Sequence, residues 1–270
     1  MSARPGLSLI INIFNQPEYL ARVLGAVAGQ RSRPEEVVVA DDGSGEETRA
    51  VVQEWTGRER LTMRHVWQPH TGFRRARILN QAIAAATQPY LVFLDGDTVP
   101  HPDFVGDHRA LARPGAFIQG HRALVQERAA ADFGRGEFER DRRQAVWRGQ
   151  MRGLKHVFRW PRPLLRQRDD LEGIRGCNLG IWREDLLRVN GYNEDFEGWG
   201  REDSELAARL MNCGLKRRDV RGWALCYHLW HPPAPRERLP ANDQLLERTV
   251  RERATRCVRG LDQYLPAAAP

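Results

Sequence analysis

Apolar positions along the first hundred residues follow two alternating periods. Uninterrupted apolar runs of strand length, typical of parallel strands covered on both faces, alternate with stretches in which apolar residues recur every three or four positions, as in helices. The predicted strands cover residues 7–14, 36–40, 61–67 and 90–94. The predicted helices cover residues 17–27, 46–55 and 78–86, with Asn15 as the cap of the first and Pro17 at its start.

This order of elements predicts an α/β domain with a mostly parallel central sheet and helices on both faces. In such sheets, ligands bind beyond the carboxyl ends of the strands. The residues that directly follow each predicted strand are therefore the first candidates for a functional site.

The regular alternation stops at residue 121 and returns at residue 176. In between, a helix is expected over 137–152 and irregular structure over 160–163, where two prolines flank an arginine. Beyond it, the predicted strands are 177–182 and 223–228, and the predicted helices are 202–213 and 241–265. We expect one domain over 1–240, made of halves 1–120 and 176–240 and a less regular segment 121–175, followed by a helix and tail over 241–270.

The composition is that of a globular chain, because 41% of its 270 residues are apolar. The first residues do not resemble a secretory signal, and no apolar run approaches the ~20 residues of a membrane-spanning helix. The four cysteines include no C-x-x-C pair, which argues against a thiolate zinc site and a disulfide framework. A cytoplasmic protein is expected, with peripheral contact to the inner face of a membrane left open.

The formal net charge of +7 comes from arginine and is densest between Arg122 and Arg175. Nucleic acid, anionic lipid and phosphorylated small molecules all bind basic chains. In this segment Trp147 and Trp160 could stack on sugars while arginines meet a lipid diphosphate or an acidic glycan, which makes it a candidate acceptor surface. The alternative is a solvated helix with structural tryptophans.

Asp95, Gly96 and Asp97 follow the strand predicted over 90–94. Two carboxylates around a glycine can place several hard oxygens on one cation, and the glycine lets the backbone turn sharply. An ordinary turn would not need both charges. The position at the ligand-binding edge of the sheet therefore favours a functional role.

Two other stretches carry groups suited to a nucleoside diphosphate. Asp42 ends the second predicted strand, where a carboxylate can accept hydrogen bonds from a nucleobase or a ribose; a plain Asp-Gly turn is the alternative. Arg74, Arg75 and Arg77 stand at the start of the third helix. They could meet a diphosphate, although a solvated basic face would explain at least two of them.

Glu202 and Asp203 open the helix predicted over 202–213, directly after Gly198-Trp199-Gly200-Arg201. Acidic residues in a first helical turn often do no more than stabilise the helix dipole. The Gly-Trp-Gly sequence favours a further role, because an indole packs on the C–H face of a sugar whose hydroxyls bind carboxylates.

His228 and His231 flank Trp230 at the end of the last predicted strand. One imidazole with two carboxylates suits a divalent cation such as Mn²⁺. The H-E-x-x-H motif of zinc hydrolases is missing from the sequence. Which of the two histidines would face the metal is open.

Taken in order, five motifs resemble the family 2 inverting glycosyltransferases, and the C-terminal half is similar to the catalytic domains of chondroitin polymerase and β-1,4-galactosyltransferases. The resemblance runs from Leu7 to Pro232 and is weakest over 122–175. The motifs lie at residues 9–15, 39–44, 94–97, 198–205 and 227–228. It implies a GT-A fold, a nucleotide-sugar donor of the UDP type, and Mn²⁺ or Mg²⁺.

By matching positions, the resemblance also implies roles for single residues on the donor side. Asn12, Phe14 and Asp42 would hold the nucleoside, and Arg74 would lie near the diphosphate. Asp95 and the adjacent Gly96 would face the ribose or the donor sugar. Asn178 and Trp199 would line the sugar pocket.

On the catalytic side, Asp97 and His228 would be metal ligands, Asp203 the catalytic base, and Glu202 a ligand of sugar hydroxyls. Two departures from the family pattern affect the fit of substrates. Residues 12–15 read Asn-Ile-Phe-Asn where many relatives have Pro-Thr-Tyr-Asn. Arg201 stands where a second glycine is usual.

The expected activity is transfer of a sugar, with inversion, to a hydroxyl of a glycan or glycolipid. A sugar nucleotidyltransferase would need a glycine-rich loop after the first strand, which this chain lacks. A non-catalytic saccharide-binding module remains an alternative. Nucleic acid is not an expected partner, because the ordered carboxylates would repel phosphates.

Overall fold

The computed structural model describes residues 4–58 and 61–266. The strands are β1 (Leu7–Ile13), β2 (Glu36–Asp41), β3 (Met63–Trp67), β4 (Tyr90–Asp95), β5 (Thr98–Pro100), β6 (Ala116–Gln119), β7 (Arg122–Val125), β8 (Met151–Arg152), β9 (Leu164–Arg168), β10 (Leu179–Trp182), β11 (Lys216–Arg221) and β12 (Cys226–His228). The helices are α1 (Pro17–Ala28), α2 (Glu46–Thr56), α3 (Arg75–Ala85), α4 (Phe104–Leu111), α5 (Glu127–Ala130), α6 (Phe138–Trp147), α7 (Arg183–Val189), α8 (Glu202–Asn212) and α9 (Leu239–Arg251).

Eight strands form the central sheet in the order β3-β2-β1-β4-β10-β6-β11-β9. The first four neighbours run parallel, as the alternation of strands and helices predicts. In the second half, β10 and β9 run antiparallel to their neighbours while β6 and β11 are parallel. The prediction of a mostly parallel sheet is confirmed.

Alternate residues of the central strands face two separate apolar layers. In β1, Leu9 and Ile11 pack into a cluster that includes the apolar residues of α1, whereas Ile10 packs with those of α3 and α8. Because successive side chains of a strand point to opposite faces, a strand this apolar must be covered on both. The helices cover both faces, as predicted.

A second sheet lies in the order β5-β12-β7-β8. In it, β12 pairs antiparallel with β5, and the register sets His228 opposite Thr98. Since Thr98 directly follows Asp97, this pairing brings a histidine near the end of the chain beside an aspartate from its first half.

Several predicted boundaries are wrong for local backbone reasons. Asn15 does not cap α1, because it has a left-handed backbone (φ 47°) and its Oδ1 accepts from the Gly45 N–H at 2.9 Å. The helix predicted over 137–152 ends at Trp147, and residues 151–152 pair with β7 as a short strand instead. The strand predicted over 223–228 begins only at Cys226, because Ala224 has φ 50°.

The C-terminal helix predicted over 241–265 is also too long. It ends at Arg251, and Arg253 has a left-handed backbone (φ 51°). The chain then turns so that Leu261 is fully buried while Val258 stays 90% exposed. Within residues 4–58 and 61–266, no helix is long and apolar enough to cross a bilayer.

A buried ion pair joins α8 to its neighbours. The Arg209 guanidinium donates to both carboxylate oxygens of Glu205 at 2.8 and 2.7 Å and to the Val189 carbonyl at 2.5 Å. From α9, the Thr249 hydroxyl donates to the same carboxylate at 3.1 Å. The Glu205–Arg209 pair therefore anchors α8 to α7 through Arg209 and to α9 through Glu205.

We expect Glu205→Ala to lower the free energy of unfolding by about 3–5 kcal/mol, because it leaves the Arg209 charge buried without a partner. Urea denaturation measures the change. The control is Glu247→Ala on the exposed side of α9, which should change the free energy of unfolding by less than about 0.5 kcal/mol. Equal effects of the two substitutions would contradict this account.

Candidate active site

Four polar side chains meet at the buried guanidinium of Arg75, the first residue of α3. Its Nη1 donates to Asp203 Oδ1 at 2.8 Å and to Glu202 Oε1 at 3.1 Å. Its Nη2 donates to Asp95 Oδ1 at 3.0 Å, and its Nε donates to Asn12 Oδ1 at 3.1 Å. The carboxyl ends of β1 and β4 and the start of α8 therefore converge on one crevice.

Arg75 is the residue that the sequence interpretation missed, because it was grouped with arginines of a basic face. It is only 8% exposed, whereas Arg77 is exposed and Arg74 is half-buried. The signal was present in the helical spacing. Arg75 lies four and seven residues before Leu79 and Ala82, on the buried stripe of α3.

Gly176 lets the backbone pass close to Asp203. Its N–H donates to Asp203 Oδ2 at 2.8 Å, so the two oxygens of this carboxylate are held by different groups. A Cβ added to Gly176 would lie 2.3 Å from Asp203 Oδ1 and 2.6 Å from Arg75 Nη2. Only glycine fits this arrangement without displacing a charged side chain.

Three carboxylates share this crevice with Arg75, and burial shifts the pKa of two of them. Burial and the neighbouring Asp203 raise the pKa of Glu202 to about 7, although Arg75 opposes the rise. Burial also raises the pKa of Asp95, against the effects of Arg75 and of Arg122 on β7. In both acids, burial opposes ionisation and arginine supports it.

Asp97, His228 and His231 form a second group at the same edge. One ligating atom from each lies within 4.8 Å of the others. His231 Nε2 is 3.1 Å from Asp97 Oδ2, and His228 Nε2 is 3.7 Å from Asp97 Oδ1. Both histidines therefore face Asp97.

Two of these three groups have the protonation that a metal ligand needs. Burial lowers the pKa of His228 to about 4, which keeps the imidazole neutral at pH 7. Burial alone would raise the pKa of Asp97, but the hydrogen bond from His231 is the first of the effects that outweigh it, and the pKa is lowered. The same hydrogen bond raises the pKa of His231, so a metal would have to displace its proton. One carboxylate and two imidazoles fit Mn²⁺ better than Mg²⁺, which favours oxygen ligands and water.

On the other side of β1, an aromatic pair lies next to Asp42. The rings of Phe14 and His70 stack with centroids 4.3 Å apart, and Phe14 remains 39% exposed. Asp42 is buried and accepts from Gln68 Nε2 at 2.6 Å and from the Arg74 N–H at 2.9 Å. Burial raises its pKa. A flat heterocycle could extend the stack, with polar groups at its edge.

The Arg74 side chain points away from this pair. Its guanidinium forms an ion pair with Glu197 and borders a cavity of about 400 Å³ that Arg77 and Arg259 also line. A diphosphate that uses Arg74 would have to compete with Glu197. Trp199, in the loop before α8, is 39% exposed. The Arg236 guanidinium stacks over its ring, 4.7 Å from the centroid.

Asn178, expected to line the sugar pocket, is fully buried. Its Nδ2 donates to the carbonyls of His121 and Ala224 at 3.0 and 2.7 Å, and its Oδ1 pairs with His108 Nε2 at 2.9 Å. Every polar atom of the side chain is thus engaged within the protein. Gly96 allows a similar close approach, because an added Cβ would lie 2.4 Å from Ile13 Cδ1.

Comparison with known proteins places the whole crevice within matched sequence. The pattern described as glycosyl transferase family 2 matches residues 8–174, and that of the N-terminal domain of galactosyltransferase matches residues 162–232. A validoxylamine A glucosyltransferase from Streptomyces hygroscopicus subsp. limoneus is 32% identical, over 87% of this chain and 52% of its own length. Chondroitin synthase from Escherichia coli is 28% identical, over 83% of this chain and 34% of its own length.

The chain therefore spans about half the length of the first of these curated relatives and a third of the second. Among solved structures, S. aureus TarS is 14% identical with a TM-score of 0.66, over 96% of this chain and 41% of that one. A mannosyltransferase from Pyrobaculum calidifontis, in complex with GDP-Man and Mn²⁺, is 19% identical with a TM-score of 0.57, over 92% and 70%. The predicted GT-A fold is confirmed.

The raised pKa of Glu202 predicts a pH-dependent cost in stability. A glutamate ionises near pH 4.5 in the unfolded chain but near pH 7 here. Between these values the folded state binds more protons, so the free energy of unfolding falls as the pH rises through this range. The free energy of unfolding of Glu202→Gln, relative to that of the natural chain, should therefore rise by about 1–3 kcal/mol from pH 5 to pH 8.

Urea denaturation at both pH values measures the difference. Glu47→Gln is the matched control, because Glu47 also lies in a first helical turn but is exposed. Its stability relative to the natural chain should not change with pH. A Glu202→Gln difference that is equally independent of pH would contradict the burial argument.

Proposed function

Because the chain belongs to glycosyltransferase family 2, we propose that it moves a sugar from a nucleoside diphosphate donor to an acceptor hydroxyl, with inversion and with a divalent cation bound. The observation that carries this proposal is the convergence of two groups at one sheet edge. Asp97, His228 and His231 form a cation site, and Asp203 is held beside Arg75 in the adjoining crevice. The acceptor would be a glycan or glycolipid.

The nucleoside would bind where Phe14 and His70 stack beside Asp42. An aromatic stack presents a flat apolar face to a base, and a carboxylate at its edge can accept a hydrogen bond from a base N–H. A uracil offers one such N–H, which supports a donor of the UDP type. Asn12, two residues before Phe14, and Asp95 both accept from Arg75, and a ribose or donor sugar would follow there.

The cation would be Mn²⁺, held by Asp97, His228 and His231. When bound, it would neutralise the charge that develops on the leaving diphosphate. Two of the three side chains are positioned by the protein itself, since Thr98 Oγ1 donates to Asp97 at 3.0 Å and the β5–β12 pairing sets the position of His228.

Asp203 is the proposed base. A sugar hydroxyl is a weak nucleophile, so a carboxylate must take its proton as the new C1–O bond forms. Arg75 and the Gly176 N–H fix the orientation of Asp203, and its side chain is 18% exposed against 9% for Glu202. Asp203 is thus the more accessible of the two acids, and Glu202 would bind a sugar hydroxyl behind it.

The competing function is a saccharide-binding module without turnover. The arrangement around Arg75 favours an enzyme, because it buries Glu202 and holds the partly exposed Asp203 in one orientation, which sugar binding alone does not require. Incubating the chain with a panel of nucleotide sugars and Mn²⁺ tests the alternative. Release of free nucleoside diphosphate supports the enzyme, and binding without release supports the module.

We expect Asp203→Asn to lower kcat by about 10²–10⁴-fold, the usual contribution of a general base, while donor binding stays near normal. Nucleotide release in the presence of acceptor measures kcat, and calorimetry measures donor binding. Glu184→Gln, in the first turn of α7 and exposed, is the matched control and should keep full activity. Near-normal transfer by a folded Asp203→Asn chain would exclude it as the base.

Removal of one imidazole should weaken metal binding directly. His231→Ala loses one of three protein ligands, and we expect the Kd for Mn²⁺, measured by calorimetry without substrate, to rise at least tenfold. Transfer by the natural chain should stop in excess EDTA and return with added Mn²⁺. An unchanged Kd, or full activity in EDTA, would remove the metal from the proposal.

A further inference from the structure

Outside the crevice, two histidines stack on each other with two ring nitrogens left without partners. The rings of His121 and His156 have centroids 4.4 Å apart and planes within 17°. His121 Nε2 and His156 Nδ1 are buried, and nothing in the described part of the chain hydrogen bonds to them. Asp219 Oδ2 lies 3.7 Å from His121 Nε2, which is beyond hydrogen-bond length. Buried polar atoms of this kind call for a ligand or water.

Three cations lie near this pair, and the charge of each acts on both imidazoles. Lys155 directly precedes His156 and is exposed. Arg175 is also exposed, and its backbone N–H donates to Gln119 Oε1 at 3.0 Å, two residues before His121. Arg221 is half-buried at the end of β11, two residues after Asp219. We call His121, Lys155, His156, Arg175 and Arg221 the histidine-pair cluster.

The charge of the histidine-pair cluster is not balanced. Across residues 4–58 and 61–266, the ion pairs involve neither Lys155, Arg175 nor Arg221. The nearby Asp219 is engaged by Arg217 Nε at 2.8 Å and lies 3.8 Å from Arg168. Burial, with added effect from the surrounding cations, lowers the pKa of both histidines to about 4. Neither of these two buried ring nitrogens has a partner in the described part of the chain, whichever tautomer each imidazole adopts.

The histidine-pair cluster adjoins the proposed base. Arg175 is followed by Gly176, whose N–H holds Asp203. On the other strand, the His121 carbonyl accepts from Asn178 Nδ2 at 3.0 Å, in the same turn that contains Gly176. The histidine-pair cluster is thus linked through the backbone to the turn that holds Asp203.

We propose that the histidine-pair cluster binds an oxyanion carried by the acceptor, so that this transferase acts on an anionic saccharide bearing a phosphate or a carboxylate. The second statement rests on the proposed function; oxyanion binding does not. Phosphate and carboxylate oxygens accept charge-assisted hydrogen bonds from guanidinium, ammonium and imidazole donors alike. An uncharged acceptor would leave the charges of Lys155, Arg175 and Arg221 paired with solvent alone.

Binding of inorganic phosphate to the otherwise ligand-free chain tests the site without any assay of transfer. In a titration at constant ionic strength, the ring ¹H–¹³C signals of His121 and His156 should shift and saturate at millimolar phosphate. In the triple variant Lys155→Ala, Arg175→Ala, Arg221→Ala the apparent Kd should rise at least tenfold. Arg248→Ala, an exposed arginine on α9, should leave it unchanged. Absence of shifts, or equal shifts in the triple variant, would overturn the proposal.

Acceptors of equal length then identify the anion. A phosphate-bearing, a uronic-acid-bearing and a neutral oligosaccharide are compared with the same donor. We expect one anionic acceptor to have a KM at least tenfold below the neutral one, and that KM to rise at least tenfold in the triple variant with little change in kcat. Equal KM values for all three would overturn the assignment to the acceptor. If no donor is consumed by the natural chain, the proposed function fails, while the phosphate titration still decides the site.

Discussion

The site depends on one buried guanidinium placed among carboxylates. Arg75 lies within hydrogen-bond distance of Asp95, Glu202 and Asp203, and its charge offsets the repulsion among the three carboxylates. Arg75 also donates to Asn12, so the same side chain links the first strand to the start of α8. The geometry of the crevice is therefore an electrostatic balance between these acids and the arginine among them.

The site also depends on the four-stranded sheet β5-β12-β7-β8. Asp97 and His228 come from opposite halves of the chain, and only the β5–β12 register brings them together. Backbone pairing of this kind resists side-chain rearrangement, so the cation ligands are held by strands while the proposed base is held by a helix and a glycine turn. The two functional groups of the crevice are thus positioned by independent elements.

Much of this could be read from the sequence where a periodic pattern extends over a whole element. The strands β1 to β4 and the helix α8 follow from apolar spacing, and the acids at residues 95, 97 and 203 follow from their place after a strand or at a helix start. Arg75 was missed because a charged residue in a cluster of arginines suggests solvent, although its spacing from Leu79 pointed inward. For Asn178 the motif predicts a ligand contact, but its side chain is fully hydrogen bonded within the protein, which a motif position cannot reveal.

The loop that carries Trp199 has a consequence for where the working unit ends. Asn242 donates to the carbonyls of Glu197 and Gly200, and Arg201, itself in a left-handed backbone, pairs with Asp243. Both anchors lie on α9, beyond residue 232, where the matched family sequence stops. The smallest fragment that keeps the loop before α8 in shape must therefore include α9. Domain borders drawn from sequence similarity alone would cut away the support of that loop.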